Sequence, residues 1–73
     1  MTKLPDVSGK QCIRALERAG FKLARIQGSH HHMRRSLPFC QVSVPLHSSL
    51  KKGLLHGILK SAGLSLEDFL KLL

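Results

Sequence analysis

What most constrains this chain is the order in which its apolar periodicity changes. Residues 9 to 19 repeat at helical spacing, with Cys12, Ile13, Leu16 and Ala19 on one side. Ser8 precedes them as a capping residue, whose oxygen accepts from a free N–H of the first turn, and Gly20 follows as a C′ glycine. The period then drops to two. FKLARI (21–26) carries apolar residues in near alternation, and CQVSV (40–44) sets Cys40, Val42 and Val44 against Gln41 and Ser43. HHHMRR (30–35) lies between them; it is weak by propensity, but a hairpin partner is the economical assignment between two strands. Pro38 in SLPF cannot sit in a central strand, so the chain turns there, and Pro45 ends the last strand. Helical spacing returns from about residue 50 to 62, where Leu50, Leu54, Leu55, Ile58, Leu59 and Ala62 form a wide stripe. Ser48 or Ser49 is placed to cap that helix and Gly63 to end it. Ser65 opens a short terminal helix with Asp68 three residues on, which Leu66, Phe69, Leu70 and Leu73 can pack down.

The links between the strands are too short for crossovers, so an antiparallel meander is expected. One face of such a sheet takes both helices and the other meets water. The expected fold class is α+β: one domain over residues 1–73, helix–three-stranded antiparallel sheet–helix with a short C-terminal helix. This is the element order of double-stranded RNA-binding domains. A chain of 73 residues buries only about 60% of its unfolded surface, so the core is thin. With no Trp, no Tyr and three Phe, it must be built from Leu, Ile, Val and Ala.

Charge narrows the partners. Twelve Lys and Arg oppose four Asp and Glu, a net +8. Such a field draws polyanions, either nucleic acid or an acidic protein. Lys10, Arg14 and Arg18 recur every four residues as a basic ridge, and Lys52, His56 and Lys60 do the same on the second helix. Cys12 and Cys40 form neither a disulfide framework nor a metal motif, and Cys12 reads as a small buried apolar residue. The segment MTKLPDVSGK has no apolar run of the kind a secretory leader needs, and no stretch is long enough to span a bilayer. A cytoplasmic location without membrane contact is expected.

Three consecutive histidines follow Gly28 and Ser29. Alternation in a strand sends His30 and His32 to one side and His31 to the other. Two ligands on one face fall short of the three or four that zinc takes, with no Cys or acidic cluster nearby in sequence. Polar decoration of an open sheet is the plain alternative. RNA contact is another, since imidazole stacks on bases and bonds phosphates. Catalysis is the last. Histidine titrates near neutral pH, and RNA brings its own nucleophile in the 2′-hydroxyl beside each phosphate. A base that removes that proton starts strand scission without metal, worth roughly 10²–10⁴ in rate. Arg34 and Arg35, on the same strand, are available to stabilise the phosphorane. Spacing alone leaves contact and catalysis unresolved.

The segments RALERAGFKLARIQGSHHHMRR and VSVPLHSSLKKGLLHGILKSAGLS resemble the HicA toxin family over about residues 8 to 66. The matching features are AGF after the first helix, GSH after the first strand, VPLH after the third, and LKKGLLHGILKSAGLS in the second helix. The resemblance implies a small toxin of a type II toxin–antitoxin pair, with a double-stranded RNA-binding-domain-like fold. It implies an endoribonuclease that cleaves messenger RNA, masked by a HicB-type antitoxin; together with the histidine chemistry above, the expectation is a metal-independent enzyme without a cofactor. Carried over by residue, His30 takes the catalytic position after Gly28 and Ser29 in GSH, and His31 is its rival, since some relatives place the histidine one residue later. His32 departs from the pattern, where relatives usually carry an apolar residue. His47 matches the PxH position, either as a structural residue near the start of the second helix or as a conformational or phosphate-contact residue. Gly28 would supply positive φ for a tight turn, and Ser29 would bond either the turn or a phosphate. Arg34, Arg35, Lys51 and Lys52 would hold phosphates, with His47 as a further contact. A non-catalytic RNA-binding module is the competing reading.

Overall fold

The computed structural model describes residues 5–73. Residues 1–4, part of the segment read above for a leader, lie outside it. The elements run α1 (Gly9–Arg18), β1 (Lys22–Gln27), β2 (His30–Ser36), β3 (Phe39–Pro45), α2 (Lys52–Ala62) and α3 (Leu66–Leu72). The α+β helix–sheet–helix arrangement is therefore present, as a meander with strand order β1-β2-β3 and both pairings antiparallel.

The local signals act as expected at most boundaries. Ser8 Oγ accepts from Gln11 N, and the Gln11 side chain accepts in return from Ser8 N, so two first-turn donors are satisfied reciprocally. Gly20 and Gly63 close their helices at φ of 97° and 73°. The second helix begins later than its apolar stripe suggests. Neither Ser48 nor Ser49 caps it; Lys51 stands at the N-cap without a side-chain cap bond. The reason is tertiary. Leu50 N donates to Val7 O at 2.7 Å and the Leu50 side chain is buried, so this residue is held as a strut before the helix starts.

The register fixes the faces. Met33 pairs with Leu23 on one side and Val42 on the other, and all three point toward the helices with His31, Val44, Ile26, Arg35 and Cys40. Between Leu23 and Arg25 the ladder slips by one residue, a bulge at Ala24. That slip puts Leu23 and Ile26 on the same face although they are three residues apart. The helices pack over β2 and β3, burying Met33, Val42 and Val44 against Cys12, Leu16, Leu55, Ile58 and Leu59. Phe21, just before β1, is also in the core. The β1 edge is left uncovered, so Leu23 and Ile26 stay 47% and 55% exposed.

The terminal helix packs on its own domain. Phe69 is fully buried, Ser65 Oγ accepts from Asp68 N, and Arg18 Nη1 donates to Leu72 O at 2.6 Å. Leu66 and Leu72 lie partly against the core, whereas Leu73 remains exposed. Among the described residues no helix is long and apolar enough to cross a membrane.

Candidate functional site

The turn that launches β2 is a two-residue link, since Gln27 pairs with His30 around Gly28 and Ser29. Gly28 has φ of 62° and Ser29 does not share the positive sign, which is the II′ hairpin pattern with glycine first. A Cβ at Gly28 would meet nothing within 4 Å, so it is the backbone angle, not space, that demands glycine there. The turn is pinned from β3's end: Leu46 N donates to Ser29 O at 2.7 Å. The same segment is tied to α1, where Gly9 N donates to His47 O at 2.8 Å. His30 thus begins its strand from a turn pinned at Ser29 to a segment that is itself tied to α1.

The three histidines divide. His30 and His32 lie on the open face, His31 on the helix side between Ile26 and Val44. His30 is exposed, and its Nδ1 lies 3.4 Å from Ser43 Oγ, one strand over and diagonal to it. His31 is half-buried with Nδ1 shut from solvent and unpartnered, and His32 is half-buried with Nε2 in the same condition.

Around His30 and His32 the register gathers cations from two strands. Lys22 pairs with Arg34, Arg25 with His32, and Gln27 with His30, so Lys22, Arg25 and Arg34 share the open face with both histidines. Arg25 Nη2 donates to Gln27 Oε1 at 3.3 Å, which holds the guanidinium along that face. No acid opposes them. The chain carries no Asp or Glu between Glu17 and Glu67, so the sheet is devoid of anionic side chains. Lys22, Arg25 and Ser43 escaped the sequence reading because only cross-strand register brings them to the histidines.

The other expected residues are dispersed. Arg35 points to the helix side, its guanidinium 4.8 Å from the Phe21 ring centroid and its Nε donating to Pro38 O at 3.2 Å. It is engaged with the core, on the face away from His30. His47 is exposed beyond β3 and meets α1 through its carbonyl. Lys51 and Lys52 straddle the start of α2, where the helix dipole disfavours cations. Among the described residues no three His, Cys, Asp or Glu side chains come together in a group able to hold a metal ion. A shallow cleft runs between α2 and the free edge of β3, lined by Ser43, Gly53, Leu54 and Gly57, and it excludes the histidine run.

A family model described as the HicA toxin of bacterial toxin–antitoxin systems matches residues 9–64, from the first residue of α1 to just past α2. No curated protein matches the chain.

Proposed function

Because the chain belongs to the HicA toxin family, and so is the toxin of a toxin–antitoxin pair, we propose that it is a metal-independent endoribonuclease that cuts messenger RNA with His30 as general base. The observation that carries this reading is the exposed His30 on an acid-free sheet face, with Arg25 in the next rung of that face and Lys22 and Arg34 in the one after it.

With Nδ1 directed to the Ser43 hydroxyl, Nε2 is the ring nitrogen left to take a proton. It removes the proton from a ribose 2′-hydroxyl. The 2′-oxygen then bonds to the adjacent phosphorus, and the bond from phosphorus to the 5′-oxygen breaks. The products are a 2′,3′-cyclic phosphate and a 5′-hydroxyl, the latter taking its proton back from the imidazolium. The extra negative charge of the phosphorane falls where Arg25 and Arg34 supply positive charge without competing carboxylates. Gly28 and Ser29 set the position of His30, while the exposed His47, Lys51 and Lys52, away from the strand rungs, are further phosphate contacts in this reading. The antitoxin, which we take to be of the HicB type, would silence the toxin by covering this face.

His31 is the rival base, placed on the helix side of β2 next to Ile26 of the uncovered β1 edge. Because the two rings lie on opposite faces, single variants separate them. Incubation of a long RNA with each protein in excess EDTA should show cleavage by wild type and by His31→Ala, and a loss of about 10²-fold or more with His30→Ala. Full activity in His30→Ala with loss in His31→Ala moves the base to the helix side. Binding without cleavage by the wild type leaves the RNA-binding module.

A further inference from the structure

Apart from its histidines, the chain has three aromatic side chains, all Phe. Phe21 and Phe69 are in the core, at 2% and 0% exposure, whereas Phe39 is 69% exposed. Phe39 pairs with Ser36, which lies on the open face with Arg34, His32 and His30. It therefore stands at one end of the same face that carries His30 at the other. The successive rungs are Phe39–Ser36, then Gln41–Arg34–Lys22, then Ser43–His32–Arg25, then Pro45–His30–Gln27. From Phe39 to the His30 rung is six residues of strand, roughly 20 Å at about 3.3 Å per residue.

We propose that Phe39 is a base-stacking residue, and that the open sheet face binds an unpaired stretch of RNA running from Phe39 to His30. The inference rests on the reading of His30 above and adds a subsite to it. An aromatic ring at the end of a row of cations has what single-strand binders combine: a π-face for a base and positive charge that tracks the backbone. A duplex keeps its bases stacked inside and offers none to Phe39, so the ligand is single-stranded. Charge supports a nucleic acid here. Lys22, Arg25 and Arg34 lie on the face, and no Asp or Glu lies anywhere in the sheet. A base seated on Phe39 fixes how many nucleotides separate it from the bond opposite His30. Phe39 thereby positions the cut rather than making it.

The test uses the full chain and a short 2′-O-methyl oligoribonucleotide, of about eight nucleotides, which lacks the nucleophile and stays whole. Titration at several salt concentrations should show Phe39→Ala binding roughly five- to a hundredfold more weakly than wild type, with an unchanged salt slope. Phe39→Trp should restore or exceed wild-type affinity. Arg34→Ala should instead lower the slope by about 0.7, the signature of one lost phosphate contact to a single strand. The same oligomer in duplex form should compete poorly. Affinity of Phe39→Ala within about twofold of wild type, or equal competition by the duplex, would overturn the proposal. No measurable binding by the wild type would overturn it as well. Cleavage of unmodified RNA, assayed beside this, tests the nuclease reading on its own, because the binding assay involves no chemistry.

Discussion

Gly9 is the first residue of α1, and propensity alone favours replacing it: alanine in a helix gains up to about 1 kcal/mol over glycine. The packing argues the reverse. A Cβ at Gly9 would overlap the Pro45 carbonyl oxygen, lie 2.9 Å from Leu46 Cα and 3.1 Å from His47 N. All three are backbone atoms, so no rotamer change relieves the clash, and α1 must move off the end of β3. Overpacking of this kind costs about 1–3 kcal/mol. The shift also strains the bond from Gly9 N to His47 O, worth about 0.5–1.5 kcal/mol. Set against the propensity gain, Gly9→Ala should destabilise the domain by about 1–3 kcal/mol. In a domain this small, each kcal/mol moves Tm by about 4–8 °C. Gly57→Ala is the control. It sits inside α2 with nothing within 4 Å of the added Cβ and no positive φ, so it should stabilise by about 0.5–1 kcal/mol. Thermal melts followed by circular dichroism should therefore move in opposite directions for the two variants. A Tm for Gly9→Ala at or above wild type would refute the claim that α1 is seated against the Pro45–His47 backbone. RNA cleavage should fall in Gly9→Ala well below its melting temperature, because the same backbone segment pins Ser29 ahead of His30.

Lys51→Asp should raise stability by about 1 kcal/mol, by giving α2 a side-chain cap and a favourable charge at its N-terminus, while lowering the cleavage rate; an unchanged Tm would place the cap elsewhere. Arg34→Ala should weaken RNA binding with little change in Tm, whereas Arg35→Ala should lower Tm, since it loses its stacking on Phe21 and its bond to Pro38, with little change in salt slope; a reversed pattern would contradict the assigned faces. Burial pushes the Cys12 thiol up from 9.0 to about 11. The folded state therefore keeps a proton that the unfolded chain releases from about pH 9, so stability should decline between pH 9 and 11, and denaturant midpoints for Cys12→Ala should lack that part of the decline.

The elements were legible where a local signal and the tertiary structure agree. Ser8, Gly20, Gly63 and Ser65 each mark a boundary through their own backbone chemistry, and the alternation in CQVSV survives because β3 has one buried face and one open face. The start of α2 was not legible. Leu50 fits the helical stripe in sequence, but it serves the core from a non-helical position set by Val7, more than forty residues earlier. Periodicity cannot separate those two ways of burying a leucine.

The site was half legible, for a reason that lies in the strand period. Three histidines in a row guarantee an imidazole on each face of β2 whatever the register. Which of them meets water is decided elsewhere, by Met33. It is the one apolar residue of the strand; once it is buried against Val42, His31 must share its face, and His30 and His32 must face outward. The cations around them depend on a feature with no clear signature in the sequence. Were Ala24 paired in the ladder rather than bulged, β1 would alternate strictly from Lys22, sending Ala24 and Ile26 to the open face and Arg25 and Gln27 toward the helices. The bulge reverses this for everything after it: Ile26 returns to the helix side beside His31, and Arg25 comes out beside His32. One unpaired alanine thus keeps an apolar side chain off the open face and puts a guanidinium there, in line with Lys22 and within a rung of His30.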